Sequence, residues 1–247
     1  LNNFQDLELI ICTTKSLRNL GVKEIHLYTP YFLGARSDRQ FEVGSNRYLA
    51  DVICPIINSL NFESVTVLDA HSNVLGNLLN NFNNLSNINL VQFAFNNIYN
   101  FVSGETAYIN QDKYILISPD AGASHKIYKL AEQIYYNRDI ITCSKERDTD
   151  GKLTKVVVPD CPNTTDKDCI IIDDICDGGA TFINIAKELE FKGYQGKLYL
   201  IVTHGIFSKA YTELAKYFDV IYCTNSYKDI KAGDNYDTHI IKQINVF

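Results

Sequence analysis

"CIIIDDICDGGATF", residues 169–182, decides how the rest of the chain is read. It runs from unbroken aliphatics into three aspartates, two glycines and a threonine. An apolar run of this kind reads as a strand covered on both faces, as in parallel sheets flanked by helices. Gly178 and Gly179 remove Cβ atoms so that backbone N–H groups can approach a ligand, and a helix opening at Ala180 or Thr181 adds its positive end. Together they make a cradle for an anion. Carboxylates repel phosphate, so Asp173, Asp174 and Asp177 make sense if they meet sugar hydroxyls or hold a divalent cation that bridges to phosphates. A phosphorylated sugar asks for both features. The same residues also fit a plain strand–turn–helix joint capped by Asp173 or Asp174, although so many aspartates are costly there without ligands.

The pattern around this stretch repeats along the chain: a helical segment, a Gly or Asn, a short β-rich run, then a polar loop. That rhythm predicts an α/β fold with mainly parallel sheets, arranged as two similar lobes. "DLELIICTTKSLRNLG" is predicted helical up to Gly21, "EIHLYTP" a strand, "NRYLADVICPIINSLNF" a helix and "SVTVLDA" a strand. The Asn-rich "GNLLNNFNNLSNINL" is the best linker candidate, which divides the chain into a lobe over 1–85 and another over 86–247. Beyond it come "KYILISPD" as strand, "ASHKIYKLAEQIYYN" as helix, "DIITCS" as strand, the polar stretch "KERDTDGKLTK", and "KVVVP". The quoted strand and its helix follow, then "KLYLIVTHG" as strand, "FSKAYTELAKYF" as helix and "VIYCTN" as strand. Asp or His recurs at strand ends: Asp69, His71, Asp120, Asp173, Asp174 and His204. In open parallel sheets ligands sit at the carboxyl ends of the strands.

Composition narrows the function class. The chain has 247 residues, 46% of them hydrophobic, a net charge of -6 and a pI near 5.4. That is enough apolar material for a large core, and the negative balance argues against a nucleic-acid binder held by a broad basic face. The seven cysteines, an odd number without a CxxC pair, read as reduced thiols of a cytoplasmic protein. No run of apolar residues is long enough to span a membrane, and no signal-like segment opens the chain. There is no methionine, even at position 1. The sequence is therefore read either as a fragment or as lacking methionine-derived positions, with spacing tolerant to about one residue.

The stretch "IIIDDICDGGAT" resembles the phosphoribosyl pyrophosphate motif shared by type I phosphoribosyltransferases and ribose-phosphate pyrophosphokinases. In that family the acidic pair meets ribose hydroxyls and the small-residue loop holds the 5-phosphate. The resemblance assigns Asp173, Asp174, Asp177, Gly178, Gly179, Ala180 and Thr181 to the ribose phosphate. Other segments favour the pyrophosphokinases. "YTPYFLGARSDRQF" is similar to their ATP-contacting segment, implying Arg36, Ser37 and Arg39 as ATP contacts, with Ser where the family usually has Gln. On the residues alone, these arginines equally pair with Asp38 and Glu42 on a solvated loop. "TVLDAHSNVLGN" resembles the family's Asp-x-His, implying that His71 helps to bind ATP and magnesium; by itself a His after a strand is more often structural. "ISPDAGASHK" matches Ser-Pro-Asp, implying Asp120 as a magnesium or ribose contact, where the plain reading is a Pro-Asp turn.

"ITCSKERDTDGKL" occupies the place of the family's flexible catalytic loop, with Lys145 and Arg147 at the spacing of its Lys and Arg. Without the other segments it reads as a solvated charged loop. "VTHGIFSKA" resembles the family's Thr-His-x-Ile-Phe-Ser stretch and is assigned structural support beneath the site. The similarities keep the family's order along nearly the whole chain. The family extends further before the point where this chain opens, and "QDLELI" is one residue short of its Leu-Met-Glu-Leu; the chain resembles a compact, divergent member such as those of large phages. The resemblance implies a magnesium-dependent transfer of the β,γ-diphosphoryl group of ATP to the anomeric hydroxyl of ribose 5-phosphate, giving phosphoribosyl pyrophosphate and AMP. ADP-ribose, with the same 5-phosphorylated ribose end, is the alternative acceptor and would place the protein in NAD metabolism. The rival readings are a phosphoribosyltransferase and a non-catalytic regulatory homologue. A homo-oligomer is implied, with neither nucleic acid nor membrane as partner.

Overall fold

The computed structural model describes residues 1–40, 42–99, 112–147, 153–160, 166–209, 211–230 and 239–247. The chain divides into two compact units, Leu1–Asn87 with Val246–Phe247, and Ile88–Asn245. Both are α/β with parallel main sheets.

The N-terminal unit opens with helix α1 (Phe4–Asn19). The Asn3 side chain accepts from the Asp6 N–H at 3.0 Å and the Asp6 carboxylate accepts from the Asn2 N–H at 2.7 Å, so a polar pair takes up backbone donors at the helix start. Strand β1 (His26–Tyr28) is followed by a π-helical turn, Tyr48–Ile53, and by α2 (Cys54–Ser59), where one continuous α-helix was expected. Pro55 lies in the first turn of α2. A ring there costs no hydrogen bond within α2, but it removes a donor that a helix running on from Tyr48 would need. Strand β2 (Ser64–Leu68), helix α3 (Val74–Leu78) and strand β3 (Phe82–Leu85) complete the unit. The sheet order is β1-β2-β3, all parallel, over a core that includes Leu7, Phe32, Ile53, Ile57 and Val67. The Asn-rich stretch is thus not a bare linker. It carries α3 and β3, and Asn84 uses its side chain to accept from the Ala70 N–H at 2.9 Å.

The second unit begins with α4 (Ile88–Tyr99). It continues through β4 (Tyr114–Ser118), α5 (Ala121–Gln133), β5 (Ile141–Thr142), β6 (Ser144–Arg147) and β7 (Leu153–Val157). Then come β8 (Asp168–Cys176), α6 (Ala180–Phe191), β9 (Leu198–Gly205), α7 (Thr212–Ala215), β10 (Val220–Thr224) and β11 (Ile241–Ile244). Six strands form a parallel sheet in the order β11-β10-β9-β8-β4-β5. β6 and β7 form a separate antiparallel pair. The polar stretch read as a loop therefore carries strand pairing on both sides of 148–152, which lie outside the described residues. The helix expected over "FSKAYTELAKYF" shrinks to the four residues of α7, and β11 was not anticipated.

β8 shows why the aliphatic run matters. Ile171 belongs to a core that includes Phe182, Ile185, Leu200 and Val202, whereas Ile170 and Ile172 belong to one that includes Leu90, Ile127, Leu130 and Ile201. Consecutive side chains leave a strand on opposite faces, so an unbroken run fills two cores. At the end of α6 the Gly193 φ of +80° makes the left-handed turn, with its N–H donating to the Glu190 carbonyl and that of Tyr194 to Leu189. We expect Ile170→Ala and Ile171→Ala to be destabilising to a similar degree, each by about 2–5 kcal/mol in denaturant unfolding. A cost at only one of the two would contradict burial on both faces.

Candidate functional site

Three chain segments converge at the carboxyl ends of β4 and β8. β4 ends at the fully buried Ser118, and two residues later Asp120 caps α5. The Asp120 carboxylate accepts from the Ala123 N–H at 2.8 Å, and the Ser118 hydroxyl donates to the Asp120 carbonyl, also at 2.8 Å. Ser124 donates to that carbonyl at 3.2 Å. The second Asp120 carboxylate oxygen accepts from Lys145 Nζ at 2.6 Å. Lys145 comes from β6, which starts one residue beyond Cys143, a thiol that burial pushes up to about 12. Burial alone would raise the Asp120 carboxyl. The hydrogen bond and charge of Lys145, with the N–H groups of Ala123 and Gly122, overcome it and hold the carboxyl below the usual carboxylate range.

β8 supplies the other carboxylates. It pairs with β4 only as far as Ile171, yet continues along β9 to Cys176. Asp173 and Asp174, expected as the last residues of the strand, thus lie inside it. Adjacent strand residues face opposite sides. Asp173 is half-buried, while Asp174 is 5% exposed and takes an ion pair from Lys126 of α5 at 3.2 Å. The Asp173 carboxylate accepts from the Asp174 N–H at 2.9 Å. Burial, and then the neighbouring Asp174, push the Asp173 carboxyl well above its ordinary value; the Asp174 N–H and the Lys145 charge offset this in part.

The turn that follows is pinned from below. The N–H groups of Ile206 and Phe207 donate to the Cys176 carbonyl at 2.9 and 3.1 Å, and that of Ser208 to the Asp177 carbonyl at 3.1 Å. Phe207 accepts a φ of +47° to make this exit from β9. His204, buried beneath, is 2.7 Å from the Ser226 hydroxyl through Nδ1. Asp177 and Gly178 are half-buried. Gly179 has a φ of +76°, and a Cβ there would lie 3.1 Å from Leu214, so both backbone sign and space call for glycine. Ala180 is exposed and Thr181 half-buried in the first turn of α6.

The ATP and metal assignments from the first half of the chain fall in the N-terminal unit. Arg36 and Arg39 are exposed and Ser37 half-buried in a turn after β1, with the Ser37 N–H donating to the Gly34 carbonyl at 2.8 Å. His71 is exposed, just after the buried Asp69, whose φ of +47° turns the chain out of β2. The Ser72 hydroxyl donates to Asp38 at 2.8 Å, so the segment with both arginines and the one with His71 are held together. His71 and Asp120 belong to different units. The Arg147 side chain lies outside the described residues. Among the described residues no group of three or more His, Cys, Asp or Glu is placed to hold a metal ion. The carboxylates of Asp120 and Asp173 offer hard oxygen donors of the type that suits a divalent cation, and Asp174, on the opposite face of β8, is paired with Lys126.

Sequence reasoning passed over Lys126, one and a half turns into α5. The lysine is visible in the sequence, but nothing there ties it to Asp174. It also passed over Ser118 and Ser124.

Comparison with known proteins bears on the family and the fold. Residues 84–237 match the family model described as phosphoribosyl transferase domain. A ribose-phosphate pyrophosphokinase of Mycoplasmopsis pulmonis is 26% identical over 239 residues, covering 95% of this chain and 68% of that protein. Ribose-phosphate pyrophosphokinase 4 of Saccharomyces cerevisiae is 26% identical over 228 residues, covering 92% of this chain and 65% of that protein. This chain thus spans about two thirds of the length of these relatives. The crystal structure of phosphoribosylpyrophosphate synthetase from Mycobacterium smegmatis superposes with a TM-score of 0.76 at 18% identity, over 95% of this chain and 72% of that one. No helix among the described residues is long and apolar enough to cross a membrane. The chain belongs to the phosphoribosyl transferase domain family, and the curated relatives it matches are ribose-phosphate pyrophosphokinases.

Proposed function

We propose that the protein transfers the β,γ-diphosphoryl group of ATP to the anomeric hydroxyl of a 5-phosphorylated ribose and releases AMP. The observation that carries this reading is the placement of Lys145, bonded to Asp120 and acting on Asp173, at the ends of two neighbouring strands beside the Gly178-Gly179 turn. The names of the relatives point the same way. In the reaction the anomeric oxygen forms a bond to Pβ as the bond from Pβ to the bridging oxygen breaks, and that oxygen leaves with AMP. Charge then gathers on the β-phosphoryl oxygens. Lys145 carries a mobile cation to them, exchanging Asp120 for phosphate, and Arg147 is its assigned companion. The hydroxyl proton passes to solvent water as the new bond forms; among the assigned groups, positioning and charge neutralisation carry the catalysis.

Asp173 and Asp174 are assigned to the ribose hydroxyls, and the turn Asp177–Thr181 to the 5-phosphate at the positive end of α6. Arg36, Ser37 and Arg39 are assigned to the ATP phosphates, where guanidinium forks match paired oxygens. His71 and Asp120 are each assigned as magnesium contacts, one in either unit; magnesium would supply charge neutralisation for the triphosphate. The relatives' names give a ribose phosphate, which is assigned here as ribose 5-phosphate; ADP-ribose presents the same end to the turn. Assembly into a homo-oligomer and a cytoplasmic location belong to the same reading.

The primary test is AMP release from ATP and magnesium with ribose 5-phosphate or ADP-ribose supplied separately, the products being identified by mass. AMP with a diphosphorylated sugar is expected from one of them; no AMP from either, with the protein folded, overturns the reading. Lys145→Ala should lower kcat by about 100-fold or more while circular dichroism stays native.

The pH behaviour of that variant has a definite sign. The Asp120 carboxyl is depressed in the folded chain, so its stabilising contribution is present above the unfolded carboxylate range and is lost as pH falls through the folded value. Lys145→Ala should therefore flatten the loss of stability on acidification. Asp173 has the opposite sign. Its raised carboxyl makes the native state less stable as pH rises past the unfolded value. Asp173→Asn should raise the thermal midpoint at neutral pH by about 2–4 °C while weakening the sugar phosphate. A lower midpoint would contradict the like-charge strain assigned to this pair.

A further inference from the structure

Three lysines surround the ends of these strands, and two are already engaged: Lys145 with Asp120 and Lys126 with Asp174. The third is Lys209, four residues past the end of β9. Its stem runs across the glycine turn, since a Cβ on Gly178 would lie 3.3, 3.4 and 3.6 Å from Cδ, Cε and Cγ of Lys209. The chain leading to it is fixed, because Ile206, Phe207 and Ser208 are the residues that donate to the Cys176 and Asp177 carbonyls. Lys209 is exposed and makes no hydrogen bond or ion pair with the described residues. Its ammonium is therefore a full positive charge carried over the turn and not spent within the protein.

We propose that Lys209 is a specificity-determining residue of the turn, supplying a cationic contact to the phosphate on C5 of the ribose. This rests on the pyrophosphokinase reading and deepens it. The backbone of a two-glycine turn offers neutral donors and a partial helix charge, which suit an anion without fixing how strongly a doubly charged phosphate is preferred. A lysine on an anchored exit segment adds a point charge at the same place, and a charge-assisted contact is about twice as strong as a neutral one. Gly178 has a further part in this. With no Cβ it gives the aliphatic stem room to lie flat over the turn, so that the ammonium reaches the mouth without pushing the backbone away.

The test is calorimetric binding of ribose 5-phosphate and, separately, ADP-ribose to the purified chain without ATP, which needs no turnover. Lys209→Met keeps the stem and removes the charge, and Lys209→Arg keeps the charge. We expect the methionine variant to bind the sugar phosphate about 5–20-fold more weakly and the arginine variant to bind within about twofold of the unmodified chain. A loss confined to ribose 5-phosphate identifies the monoester as the group that Lys209 meets, and a loss confined to ADP-ribose identifies the same phosphate inside a diphosphate. Equal affinity in the methionine variant for both compounds overturns the assignment and leaves the pyrophosphokinase reading standing. An unmodified chain that binds neither compound while releasing no AMP overturns both.

Discussion

Two carboxylates on consecutive residues, at a point where the strand is still packed between neighbours, set the terms for the C-terminal unit. Asp173 and Asp174 share no face, so no single cation serves both equally, and removing either from water is costly without partners. The fold answers with cations from different elements. Lys126 comes from α5 to Asp174, and Lys145 comes from β6 to Asp120 with its field on Asp173. Asp173 remains the least compensated of the three, as its raised carboxyl records. A ligand that brings hydroxyl donors, or a cation shared with phosphates, supplies what the protein withholds there.

This arrangement separates stability from function within a few residues. Ile170, Ile171 and Ile172 fill cores on both faces of the sheet and hold β8 in place. The next two side chains place carboxylates on that rigid strand, Asp173 half-buried and Asp174 buried against Lys126. Strain carried at a site and compensated by a well-packed scaffold is a general pattern, and here it turns over at a single peptide bond, from Ile172 to Asp173.

Much of this was legible in the sequence because the informative residues are neighbours in it. The aliphatic run, the two glycines and the helix after them give β8, the Gly179 turn and α6, whereas "SPD" read as a Pro-Asp turn proves to cap α5 through Asp120. What escaped depends on partners far apart along the chain. Lys126 and Asp174 are separated by 48 positions, and no local pattern announces their pairing. The paired strands β6 and β7 include the polar residues Lys145, Glu146, Arg147 and Lys155, which read as loop when only propensity is weighed. The aspartates were expected to end the strand because charge usually marks an edge. β9 extends further than β4 and keeps pairing with β8, and so holds them inside it. α7 stayed short although "FSKAYTELAKYF" has helical spacing, since Ile206–Ser208 are committed to the carbonyls of the neighbouring turn.

That commitment also gives the turn its polarity. Carbonyl oxygens are the backbone atoms that repel an anion, and a tight turn ordinarily presents them alongside its donors. At Cys176 and Asp177 they are occupied by N–H groups from the exit of β9. Donors are left in surplus over acceptors on the turn, as on one plate of a capacitor whose opposite charge is screened. The balance of donors and acceptors at the turn is thus set by the main chain of two segments and not by its side chains alone.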